Sequence, residues 1–132
     1  MNLYNELTSM SYQIILKTGK LSMKAELNDS DISSKIYKKL PIKARVNTWG
    51  DEIYFPIPVI VQNENGVPSV QLGDLAYWPP SNCFCIFFGK TPISTANEIR
   101  PASEVTVLGK LLGKPQEWKV VNDGEEITIE KA

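Results

Sequence analysis

Along the 132 residues, apolar and polar positions alternate in short runs far more often than they recur at helical spacing. "YQIILKTG" (12–19) and "LSMKAEL" (21–27) are β-type runs separated by a Gly-Lys turn, which predicts a hairpin. One segment reads as a helix, near residues 30–40. Asp29 or Ser30 can cap it, Asp31 sits in the first turn, and Lys35, Lys38 and Lys39 crowd its end. That charge order suits the helix dipole. Ile32, Ile36 and Leu40 recur every fourth residue as one apolar stripe, and Pro41 forbids continuation.

Strand patterns then resume. "IKARVNTW" (42–49) and "DEIYFPIPVIV" (51–61) are divided at Gly50, and "NENGVPS" (63–69) is a polar loop. "DLAYW", "CFCIFFG" and "EVTVLGKLLG" supply three more strands. In "EWKVVNDGEEITIEKA", Asp123-Gly124 is a two-residue hairpin signal, and Ile127 and Ile129 alternate with Glu126, Thr128 and Glu130. About eight short strands at close spacing predict a mainly β fold, a closed barrel with one short helix. The expected core is Ile14, Leu16, Val46, Ile53, Phe55, Leu75, Ile86, Phe88, Val105 and Val107.

The densest apolar stretch is "GDLAYWPPSNCFCIFFGKTP" (73–92). In "CFCIFFG", Cys83, Cys85 and Phe87 fall on one face, and Phe84, Ile86 and Phe88 on the other. A strand with two dry faces belongs between a barrel core and a covering element, and the single helix is the expected cover. Core packing is the ordinary account of these rings. Tyr77 and Trp78 each carry a polar tip that needs a partner. Cys83 and Cys85 would stand roughly 6.6 Å apart on a strand, near the outer limit for a disulfide, so they read as buried thiols.

Pro56 and Pro58 remove two donors from one strand edge, which must then border solvent, a bulge or a cleft. Such prolines blunt an edge against aggregation, and the same free edge could receive an extended peptide or a flat ligand. Asp51 and Asp74 follow glycines and read as turn carboxylates. Glu52, opening an apolar strand, is the better candidate for chemistry, because a dry site would raise its pKa. Arg100, before Pro101, reads as an extended surface residue paired with Glu98 or Glu104.

Composition narrows the function classes. Histidine is absent, which removes Ser-His-Asp and Cys-His relays and imidazole metal ligation, so neither a metal nor another cofactor is expected. Net charge is −1, from 14 Lys and Arg against 15 Asp and Glu, too balanced to attract nucleic acid. No stretch is long and apolar enough for a membrane helix. The N-terminus lacks the charge and apolar run of a signal peptide, so a cytoplasmic location is expected. Residues 12–132 read as one domain, with 1–11 as a tail or arm and Met10 as an alternative start.

Together "NTWGDEIYFPIPV", "GDLAYWPPSNCFCIFFGKTP" and "EIRPASEVTVLGKLLG" resemble the small prokaryotic cyclophilin-like proteins, over roughly Tyr12 to Leu112. The resemblance implies a closed eight-stranded β-barrel with little helix. Cyclophilins isomerise X-Pro bonds with an arginine, a phenylalanine-lined pocket and a glutamine. This chain lacks their Phe-His-Arg and Phe-x-x-Gln-Gly-Gly segments, and Arg45 alone is similar to the arginine. Other relatives of the fold belong to amide-hydrolysing or lactam-opening assemblies. Three readings follow: a module binding a small molecule or peptide, a weak prolyl isomerase using Arg45, and an accessory subunit without chemistry. The first places a pocket at one barrel end, with Trp49, Glu52, Tyr54, Tyr77, Trp78 and Arg45 around it.

Overall fold

The computed structural model describes residues 11–62 and 65–132. The expected tail or arm and its alternative start lie almost wholly outside them. Nine strands form one antiparallel sheet: β1 (Tyr12–Lys17), β2 (Ser22–Leu27), β3 (Ile42–Arg45), β4 (Asn47–Thr48), β5 (Glu52–Pro56), β6 (Asp74–Trp78), β7 (Cys83–Phe87), β8 (Thr106–Leu111) and β9 (Glu126–Lys131). Their order is β3-β9-β1-β2-β8-β6-β7-β5-β4. The two end strands of that order are consecutive in the chain. Val46 between them exchanges hydrogen bonds with Glu125 and Gly124 just before β9, whereas Asn47 and Thr48 pair with Tyr54 and Ile53 of β5. The run 42–48 is thus one bent strand that switches partners at Val46 and closes the barrel. Counted so, the expected eight strands are present.

Helix α1 (Asp31–Lys38) starts at Ser30, whose hydroxyl accepts from the Ser33 N–H. Asp31 and Lys35 pair one turn apart at 3.1 Å. Its stripe does not cover the outer face of β7. Ile32, Ile36 and Leu40 pack into the barrel interior with Ile14, Leu16, Ile53, Phe55, Phe84 and Ile86. The outer face, with Ala76, Cys83, Cys85 and Phe87, is covered instead by loop residues Val67, Val70, Ile99 and Val105. Bridges between Val67 and Val105 and between Val70 and Ile99 hold that cover together. The helix stripe is spent on the barrel interior, so cover for the other face has to come from loops.

Two further expectations are corrected. Val105 and Val107 belong to this outer cluster, because β8 bulges: Leu75 opposes Gly109 and Ala76 opposes Val107. The extra residue, Leu108, turns into the barrel in their place. Gly109 passes so close to β2 that a Cβ would collide with the Glu26 carbonyl. "EWKVV" is no strand. Pro115–Val120 is a 3-10 helix begun by proline, and it drives Trp118 fully into the core, its indole N–H 3.2 Å from Met23 Sδ. Asp123-Gly124 is therefore a turn from this helix into β9 rather than a hairpin. No helix among the described residues is long and apolar enough to cross a membrane.

Trp118 is the largest fully buried side chain among the described residues and belongs to the barrel core. Trp118→Ala is expected to lower stability by about 3–5 kcal/mol. Gly109→Ala is expected to cost about 1–3 kcal/mol through the clash with β2. Urea denaturation of the two variants checks both, and a Trp118→Ala loss near zero would contradict the packing described.

Candidate functional site

"NTWGDEIY" folds as a hairpin whose two-residue turn is Gly50-Asp51. Trp49 and Glu52 flank it and exchange both backbone hydrogen bonds, at 2.9 and 3.2 Å. Glycine is required at the first turn position, where φ is +61° and a Cβ would meet the Lys90 carbonyl. The tip is pinned to the end of β7: Asp51 N–H donates to the Lys90 carbonyl, and Phe88 N–H to that of Asp51. Directly opposed residues share a face, and residues two apart on a strand share it as well. Trp49, Glu52 and Tyr54 therefore point the same way, while Ile53 and Phe55 enter the barrel.

Register across the sheet completes the floor. Tyr54 opposes Cys85, which opposes Ala76; Pro56 opposes Cys83, which opposes Trp78. Small side chains thus lie between two large rings, and the rings lean together with centroids 6.3 Å apart at 72°. A concavity of about 270 Å³ results, lined by Trp49, Glu52, Tyr54, Trp78, Pro101 and Ala102. Pro101 and Ala102 come from the loop that covers the outer face. The Trp78 indole N–H donates to Ser103 Oγ at 2.7 Å, tying the wall to that loop. Ser94 Oγ accepts from the N–H groups of Thr91 and Arg100 and braces it further.

Glu52 is 6% exposed. Burial pushes its carboxyl from 4.5 up to about 7, partly offset by a hydrogen bond from the Cys85 thiol. The thiols respond in the same sense. Burial, then the nearby Glu52, raises Cys83 to about 11 and holds Cys85 well above the ordinary thiol range. Both cysteines are free and buried, as expected. Asp74 accepts from the Gln71 N–H at 2.8 Å, as a turn carboxylate should. Asp51 packs on Gly89 and lies 3.7 Å from Lys119 Nζ. Arg100 is paired with Glu98 at 2.8 Å.

Of the six residues singled out by sequence, four meet in this pocket: Trp49, Glu52, Tyr54 and Trp78. Tyr77 does not. It points into the barrel, fully buried, with Oη 2.7 Å from the Val59 carbonyl and 2.9 Å from Asn82 Oδ1. Adjacent strand residues face opposite sides, so Tyr77 and Trp78 cannot share one wall. Arg45 is exposed on β3, donates to the Gly124 carbonyl at 3.0 Å and does not line the pocket. The pocket also lies on the outer face of the sheet rather than at a barrel end. Pro56 and Pro58 are exposed, and their missing donors fall on the β4 side, since the odd-numbered Ile57 N–H is the one that turns to Asn82. The roof residues Pro101, Ala102 and Ser103 were missed, and only the indole N–H of Trp78, which had to find an acceptor, hinted at them.

A family model described as Cyclophilin-like matches residues 12–130. The solution structure of a hypothetical protein from Archaeoglobus fulgidus is similar over 93% of this chain and 96% of that one, with 39% identity and a TM-score of 0.79. No curated protein matches the chain.

The buried acid makes a pH-dependent prediction. The folded state keeps the Glu52 proton up to about pH 7, whereas the unfolded chain releases it near 4.5. Stability is therefore highest with the proton on and falls as pH rises through that window. The loss is on the order of 3 kcal/mol. Glu52→Gln stays neutral and is expected to become more stable than the parent as pH rises. Denaturation at about pH 5 and about pH 8 checks this. A difference between the two proteins that does not grow with pH would count against it.

Proposed function

The chain belongs to the cyclophilin-like family, and from that premise we propose that it is a binding module whose ligand site is the aromatic pocket on the outer face of β5, β7 and β6. One observation carries the reading: the buried side chain of Glu52 lies among aromatic rings in an otherwise apolar concavity. A carboxyl in such a place costs stability and has no packing role that an apolar side chain would not fill better. Apolar walls with one or two placed polar groups are the usual make-up of a small-ligand site. The volume of about 270 Å³ suits a small molecule or a single side chain of a peptide.

The site is built on rigid elements. Trp49 and Glu52 flank a turn anchored at both ends, and Trp78 is held through its indole nitrogen. The Trp78 ring is thereby held in place before binding, so that less side-chain freedom is lost when a ligand arrives. The isomerase alternative loses support, because Arg45 is engaged at Gly124 and does not line the pocket.

A fragment screen followed by indole N–H resonances tests the reading. Hits are expected to shift Trp49 and Trp78 while leaving buried Trp118 in place. Trp78→Ala is expected to weaken those hits about ten-fold, or roughly 1.4 kcal/mol. Hits that cluster elsewhere, or that ignore Trp78→Ala, would reject this pocket as the ligand site.

A further inference from the structure

We propose that the pocket takes a small methylated ammonium cation, balanced by the Glu52 carboxylate and enclosed by the rings of Trp49, Tyr54 and Trp78. The inference deepens the ligand-site reading above and rests on it. Three aromatic side chains converge on one concavity. Their faces carry negative potential, and tryptophan carries it most strongly. Pro101 and Ala102 supply apolar side chains to the remaining wall. An anion would meet Glu52, and a sugar or nucleotide would find few polar side chains to satisfy its hydroxyls.

Charge bookkeeping points the same way. The ion pairs among the described residues join Lys17 to Glu130, Lys20 to Glu125, Lys35 to Asp31, Lys43 to Glu126, Arg100 to Glu98 and Lys119 to Asp51. All involve surface acids, and Glu52, the most buried acid, is in none of them. A buried carboxylate without a counter-charge is costly, and a cationic ligand would supply the missing charge. Methylation decides the type of cation. A primary ammonium is strongly hydrated and needs several acceptors, whereas one carboxylate and three rings suit a cation wrapped in methyl groups.

The titratable neighbours of Glu52 are the Cys83 and Cys85 thiols of β7 and the Tyr54 phenol of its own strand. Asp51 in the turn is engaged by Lys119, and Arg100 beside the roof by Glu98. Both thiols stay neutral well beyond neutral pH. Glu52 is thus the group that must release its proton when a cation arrives.

Titration calorimetry with choline, tetramethylammonium and dimethylbutanol, the neutral isostere of choline, tests the proposal. Both cations are expected to bind at least about ten-fold tighter than the isostere. Their affinity is expected to rise with pH toward and through about 7, with a proton released to the buffer. Glu52→Gln is expected to abolish the preference for charge and the proton release, while Trp49→Ala weakens the cations with the acid still in place. A trimethyllysine peptide identifies the source: binding tighter than choline assigns the cation to a protein chain, and weaker binding to a free metabolite. Equal affinity for choline and its isostere, or unchanged cation affinity in Glu52→Gln, would overturn the charge assignment and leave the ligand site standing. Absence of binding by all three cations, in protein whose pocket still takes neutral fragments, would overturn it as well.

Discussion

The structure depends on a strand that must be dry on both faces. Every residue of β7, Cys83 to Phe87, is buried. Phe84 and Ile86 are satisfied by the barrel interior. Cys83, Cys85 and Phe87 need a second cover, and the chain supplies it with loops rather than with its helix. Loops follow the sheet less closely than a helix would, because their backbone must keep its own hydrogen bonds satisfied. The concavity beside Tyr54 and Trp78 is where that cover stops short. Fold and site thus share one cause: the barrel needs a second apolar layer, and the layer is incomplete.

Side-chain size turns this gap into a shape. Cysteine and alanine in the rows between Tyr54 and Trp78 leave room that a leucine or phenylalanine would fill. The thiols therefore matter as small apolar groups, consistent with their raised pKa values. Burial of Glu52 follows from the same layer. A hairpin whose tip is pinned to β7 cannot swing the acid into solvent. Its carboxyl stays where burial holds a proton up to about pH 7.

The sequence already contained much of the barrel and half of the site. Strand runs and the β1–β2 hairpin were readable from alternation, as was the helix from its cap, stripe and terminal proline. These depend on short-range chemistry: which side of a strand a residue occupies, and which residue can end a helix. Trp49, Glu52 and Tyr54 were readable for the same reason, since a tight turn at Gly50 places them on one face. The same rule should have separated Tyr77 from Trp78. Both carry a polar tip, but their adjacent positions on β6 put them on opposite faces.

Long-range packing decided the remainder. The β8 bulge that exchanges Val107 for Leu108 exists because β8 must match β2 and β6 at once, which no local pattern encodes. Trp118 overrides the strand-like look of its segment, because a large ring gains more from the core than its backbone gains from extension. The roof of Pro101 and Ala102 arrives from more than twenty residues beyond Trp78, and Arg45 is drawn away to Gly124. Sequence alone therefore determined the faces of the strands that run without a bulge, and that β7 would need cover on both sides. Only the tertiary structure decided what covers each face, because that choice turns on volumes and registers set by elements far apart in the chain.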